Sequence, residues 1–159
     1  MTGDPKPWML ATGIVPKTLA QAVGQRAATI QDKWFARLFL IKALVIASLA
    51  VFWTASGFIA LFVSYAAAAG ILSSHGFPPA LVAPVTVGTS LMDMTIGVLI
   101  AFRRTCAAGL VAGIVASLGY MAGAAILTPD LWIEPLGAPV KTGPAIVLME
   151  VALLTLDNR

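Results

Sequence analysis

Two carboxylates stand inside otherwise apolar runs: Asp93 in SLMDMTIGVLIAF and Glu150 in AIVLMEVALLTL. An ionised side chain in hydrocarbon costs about 2.5–3.5 kcal/mol even on a lenient insertion scale. Each must therefore be neutral, paired or hydrated. Asp93 shares one helical stripe with Thr86, Ser90 and Gly97 at steps of four, three and four. That stripe is too polar for lipid and is expected to face inward. A second stripe carries Lys42, Ile46, Leu49, Trp53 and Gly57 or Ser56. The candidate intramembrane polar site is Asp93, Glu150, Lys42, Trp53, Ser90 and Tyr120, with both carboxylates expected to point into the protein.

Two readings stand for most of these groups. Asp93 is either a buried carboxylic acid bonded to hydroxyls of a neighbouring helix, or a proton-relay or ligand-binding group. At a rise of about 1.5 Å per residue, Lys42 lies about 6 Å below the surface, Glu150 about 9 Å and Asp93 about 13 Å. Lys42 is thus free to snorkel to the headgroups, to reach Glu150, or to hold a ligand. Tyr120 reads as a packing residue with its hydroxyl bonded, and Trp132 as an interface anchor. The lone histidine, His75, sits by Gly76 and Pro78-Pro79 and reads as a solvated loop residue. The lone cysteine, Cys106, excludes an internal disulfide. No metal-ligand pattern, dinucleotide fingerprint or nucleophile elbow occurs, so no metal is expected and catalysis by this chain alone is not indicated.

The elements that would position these groups follow from composition. Of 159 residues, 59% are apolar and 11% charged, and the mean hydropathy is +0.93. Soluble domains carry about 25% charged residues. The sequence therefore predicts an all-α polytopic membrane protein, a four-transmembrane-helix bundle, with spans near 38–65, 81–102, 105–127 and 140–156. Residues 66–79 are read as a loop, or as one whose alanines extend the preceding helix. Pro84 is placed in the first turn of the second span, where a missing N–H is harmless. The bundle domain covers 37–159. Residues 1–36 form a polar cytoplasmic, interfacial segment. It opens with an extended Gly3–Trp8 arm that lacks the apolar run of a signal sequence. A short helix over Lys17–Val23 starts at Pro16 and stops at Gly24. Thr29 and Asp32 then make a capping box for a helix continuous with the first span. Trp8, Trp34 and Phe35, beside Lys33 and Arg37, are interface or partner-docking residues.

Nine of the 10 cations fall on one side of a four-span topology; only Lys141 falls on the other. The positive-inside rule then places both termini in the cytoplasm, and His75, Trp132 and Glu134 outside. The net charge of +3 reports topology, with no aromatic-interleaved basic patch for nucleic acid. In the third span Gly109, Gly113 and Ser117, followed by Gly119 and Gly123, recur at small-xxx-small spacing. This spacing lets helix backbones approach closely, within one bundle or in a homo-oligomer.

The loop PDLWIEPLGAPVK (129–141), the short apolar helix after it, Trp53-xxx-Gly57 and the Asp93 region resemble the DoxX-like family over 38–159. The resemblance implies a four-helix bacterial inner-membrane protein, often acidic near Asp93. Gly3–Trp8 and Ala28–Arg37 resemble the junction of fusion proteins in which a short-chain dehydrogenase/reductase precedes a DoxX-like domain. The chain looks like that membrane half. On this resemblance it is expected to anchor, or serve as accessory subunit for, a dehydrogenase-like redox protein or a larger membrane complex in the lipid bilayer. The sequence itself indicates no cofactor. The alternative is a quinone-linked oxidoreductase component that uses the buried carboxylates, because some relatives are linked to quinone-coupled redox chemistry.

Overall fold

A computed structural model describes residues 4–24, 29–133 and 138–156. Arg26, Glu134 and the acidic-basic tail at 157–159 lie outside the described residues, as does the middle of the 129–141 loop. Every regular element described is helical, and the chain is an all-α membrane protein. It divides into two compact units, Met1–Phe39 and Leu40–Arg159.

The first unit shows how local chemistry sets short helices. The opening arm is not extended: α1 runs Lys6–Thr12. Its two prolines stand at Pro5 and Pro7, before and within the first turn, where no N–H is required. The Asp4 carboxylate accepts the Lys6 N–H at 3.1 Å, and Gly13, at φ 66°, ends the helix in the left-handed conformation. The next helix, α2, is Leu19–Gly24. It starts later than Pro16 suggests, because Thr18 and Gln21 form a reciprocal capping box. The Gln21 N–H donates to the Thr18 hydroxyl and the Thr18 N–H to the Gln21 side chain. α3 begins at Ile30 and ends at Phe58. Its cap is the expected one: the Thr29 N–H donates to the Asp32 carboxylate at 2.8 Å, and the Asp32 N–H returns to the Thr29 hydroxyl at 3.2 Å. Trp34 and Phe35 are exposed on its first turns.

In the second unit α3 is followed directly by a π-helical turn, Ile59–Val63, which ends at Ser64. The next segment is a helix where a loop was expected: α4 covers Tyr65–Ser74. Four consecutive alanines, the best helix formers, outweigh the glycine and serines after them. α5 is Pro79–Ala101 and α6 is Cys106–Leu127. Because α5 starts at Pro79, Pro84 stands in its second turn and leaves the Ala80 carbonyl without a helical donor. That carbonyl belongs to an exposed residue near the helix end, where the loss is small. A 3₁₀ turn, Pro129–Trp132, leads towards α7, Ala138–Leu154.

Three stretches are long and apolar enough to cross a bilayer: Ile30–Val63, Pro79–Ala101 and Cys106–Leu127. At 17 residues, α7 is about 25 Å long, the lower limit for a span. α6 packs between α5 and α7. The core is built by Leu49 and Trp53 of α3, Ile96 and Ile100 of α5, Leu110 of α6, and Met149 and Ala152 of α7.

Candidate functional site

α5 buries Thr86, Ser90, Asp93 and Gly97, the stripe that the spacing predicted. Each hydroxyl on it closes onto its own helix: Thr86 donates to the Val82 carbonyl at 2.8 Å and Ser90 to the Thr86 carbonyl at 2.7 Å. This satisfies the hydroxyls locally, so Ser90 is a packing residue beside Asp93 rather than its partner. Gly57 of α3 lies against the Ser90 backbone, and Gly97 against Ala50 and Thr54. Both contacts are backbone-close and hold α3 on α5.

Asp93 finds its partner on α6. The Tyr120 hydroxyl donates to Asp93 Oδ1 at 2.7 Å. The carboxylate residue is 9% exposed and the tyrosine 37%, so the pair reaches from the interior to the protein's surface. No second hydrogen bond to Asp93 occurs among the described residues, which leaves Oδ2 able to accept another proton donor. A phenol donor and a carboxyl acceptor at this distance form a strong, charge-assisted bond when the acid is ionised.

The remaining candidates do not join this pair. Trp53 is buried between α3, Gly113 of α6 and Met149 of α7, and its indole N–H has no partner among the described residues. Lys42 is half-buried and lies within electrostatic reach of Cys106 at the start of α6. Glu150 is a correction: it is exposed, and no ion pair with Lys42 occurs among the described residues. Met149 and Ala152 occupy the buried face of α7, and Glu150 is turned about 100° from Met149. It also stands about 6 Å from the end of α7, within reach of the headgroups.

The small-residue series divides as well. Gly109, Gly113 and Ser117 are buried, with Gly109 against Ile100 and Gly113 against Met149 and Trp53. Gly119 and Gly123 meet nothing within 4 Å. They are offset by two residues from the 109–113–117 series, which turns them to the other side of α6.

A second polar pair, not foreseen, lies at the other end of the bundle. His75 Nε2 is 2.9 Å from Asp130 Oδ1, and Nδ1 is 2.7 Å from the Ile71 carbonyl. Both ring nitrogens face oxygen acceptors, a pattern that a doubly protonated ring satisfies by donating from each. The Asp130 carboxyl is held below its ordinary range, chiefly by the hydrogen bond with His75. The only signal in the sequence was topological: both residues fall in connections on the same side. Trp132, in the same turn as Asp130, is half-buried, and its indole N–H lacks a partner among the described residues.

A family model described as DoxX-like family matches residues 50–150. That span contains Trp53, Ser90, Asp93 and Tyr120. No curated protein and no solved structure matches the chain.

Proposed function

The chain belongs to the DoxX-like family, and we propose that it is an accessory membrane module of a redox protein or redox complex, with the Asp93–Tyr120 pair as its working centre. The hydrogen bond between them across α5 and α6 carries this reading. A span built only for anchoring has no need of a carboxyl, which costs free energy at that depth. This one is kept, given a single phenol partner and left with a free oxygen. Such a pair exchanges a proton with a group brought to it, and the arrangement serves electron transfer coupled to proton transfer. The bundle supplies the proton site; the redox step belongs to the partner.

The free Asp93 oxygen also favours a second reading, a quinone-linked component in which a quinol hydroxyl donates to Oδ2. In either reading the module sits in a bacterial inner membrane with both termini in the cytoplasm and α7 as a fourth span. Nine cations on one side support that orientation.

The test is purification from native membranes in mild detergent, with mass spectrometry and an absorption spectrum of what accompanies the chain. A redox protein is expected. Asp93→Asn should leave the assembly intact and lower its turnover by about 100-fold or more, the range of a positioned acid–base group. Tyr120→Phe should fall between the two. Full activity of Asp93→Asn, or purification without any redox protein, overturns the proposal. A co-purifying quinone selects the second reading.

A further inference from the structure

The connection between α5 and α6 is short and firmly closed. The Thr105 hydroxyl donates to the Leu99 carbonyl at 2.8 Å, and the Thr105 N–H donates to the Phe102 carbonyl at 3.0 Å. Arg103 and Arg104 stand on this turn, both exposed. Neither has a carboxylate partner among the described residues, where the one ion pair is His75 with Asp130. Two exposed arginines thus stand next to each other on the turn, with no carboxylate counter-ion among the described residues, at the end of two membrane-spanning helices.

Directly beside this turn opens a groove of about 820 Å³ between α5 and α6. Met92, Ile96 and Leu99 form one wall, and Ala108, Ala112 and Val115 the other. The furrow exists because α6 places alanines where α5 places long side chains. It runs from Ala107 to Ala116, about 14 Å along the helix. One leaflet of hydrocarbon is about 15 Å thick, half of the core. The groove therefore has the length of an acyl chain in one leaflet, and the cations sit at headgroup level.

We propose that the α5–α6 hairpin is a binding site for an anionic phospholipid, with its phosphodiester on Arg103 and Arg104 and one acyl chain along the groove. The occupant follows from charge and shape together. An apolar furrow alone accepts any lipid, whereas two exposed arginines on the turn that joins its two walls, with no carboxylate partner among the described residues, favour a negative headgroup. Lys42, whose charge is felt at Cys106 at the start of α6, adds positive potential at the same end. The site is independent of the Asp93–Tyr120 pair.

Native mass spectrometry of the full chain, delipidated and then given phosphatidylglycerol or phosphatidylcholine of identical acyl chains, tests the site. Each cation near an anionic headgroup is worth about a fivefold preference, so the pair predicts about 25-fold retention of phosphatidylglycerol over phosphatidylcholine. Arg103→Gln with Arg104→Gln should abolish the preference. Ala112→Phe, which fills the groove and leaves both arginines, should reduce retention of both lipids. Ala112→Leu repeats that test with a smaller side chain should the phenylalanine variant not assemble, as judged by far-UV circular dichroism. Lys33→Gln with Arg37→Gln should retain the wild-type preference. An unchanged preference in the double arginine variant overturns the headgroup site. Unchanged retention in the filled-groove variant shows adsorption to the surface and overturns the groove.

Discussion

Asp130 illustrates how one hydrogen bond ties two connections to pH. Its carboxylate accepts from His75 across 55 positions of sequence, and that bond favours the ionised form. A carboxyl whose value is depressed on folding stabilises the fold above its unfolded value, near about 3.9, and loses that contribution as pH falls through its own lower value. Asp130's contribution to the clasp is therefore lost as pH falls through its lowered value. His75→Ala should move the Asp130 titration up towards the ordinary carboxylate range, read by carboxyl-carbon NMR in micelles. An unchanged titration would show that the clasp has no electrostatic effect. Asp93 and Tyr120 were each legible in the sequence as polar groups in apolar runs. Their pairing was not, because it depends on how α5 and α6 rotate against each other. Glu150 shows the same limit: its depth was readable, and its direction on α7 was not.

At the level of helices, close backbone approach makes some glycines irreplaceable and leaves others free. A Cβ at Gly97 would lie 2.6 Å from the Thr54 amide nitrogen and 2.8 Å from the Ala50 carbonyl oxygen, and backbone cannot move aside as a side-chain tip can. Gly97→Ala should therefore cost about 1–3 kcal/mol by overpacking. Gly57→Ala should behave likewise, since it meets the Ser90 backbone. Gly119→Ala and Gly123→Ala enter open space and should be neutral or slightly stabilising, because alanine is the better helix former by up to about 1 kcal/mol. Unfolding of the four variants in detergent by added denaturant checks this order. Equal losses at Gly97 and Gly119 would show that the α3–α5 contact does not limit stability. The four-residue spacing revealed that α6 packs closely. It did not reveal which of two small-residue series faces the bundle, since both obey the same rule. α4 was legible only in part: its run of alanines offered a helical extension, while the glycine and serines after it read as a loop.

Across the whole chain, composition separates a charge-rich N-terminal segment from an apolar remainder, because charge density changes abruptly near the start of the first span. The residues that build the bundle core all lie beyond position 40, so removing residues 1–28 takes nothing from that core and leaves the Thr29–Asp32 cap in place. Under the proposed topology, a cysteine placed at position 75 in a Cys106→Ala background should react with an outside reagent, and one at position 104 should not. The truncated protein should give the same labelling pattern, which reports an inserted bundle of unchanged orientation. What should weaken is its hold on the partner. Trp8 is an exposed aromatic on the short α1, and Trp34 and Phe35 are exposed on the capped first turns of α3; plain linker has no use for caps of that kind. Deletion of 1–28 removes Trp8 with α1 and α2, and Trp34→Ala with Phe35→Ala removes the rest of the aromatic surface. Co-purification of the redox partner should weaken in the first variant and vanish in the two combined. A truncated protein that retains its partner in full would make the segment a membrane-surface anchor only. One that fails to insert would make it a folding element, and the docking role would then have to be sought on the bundle itself.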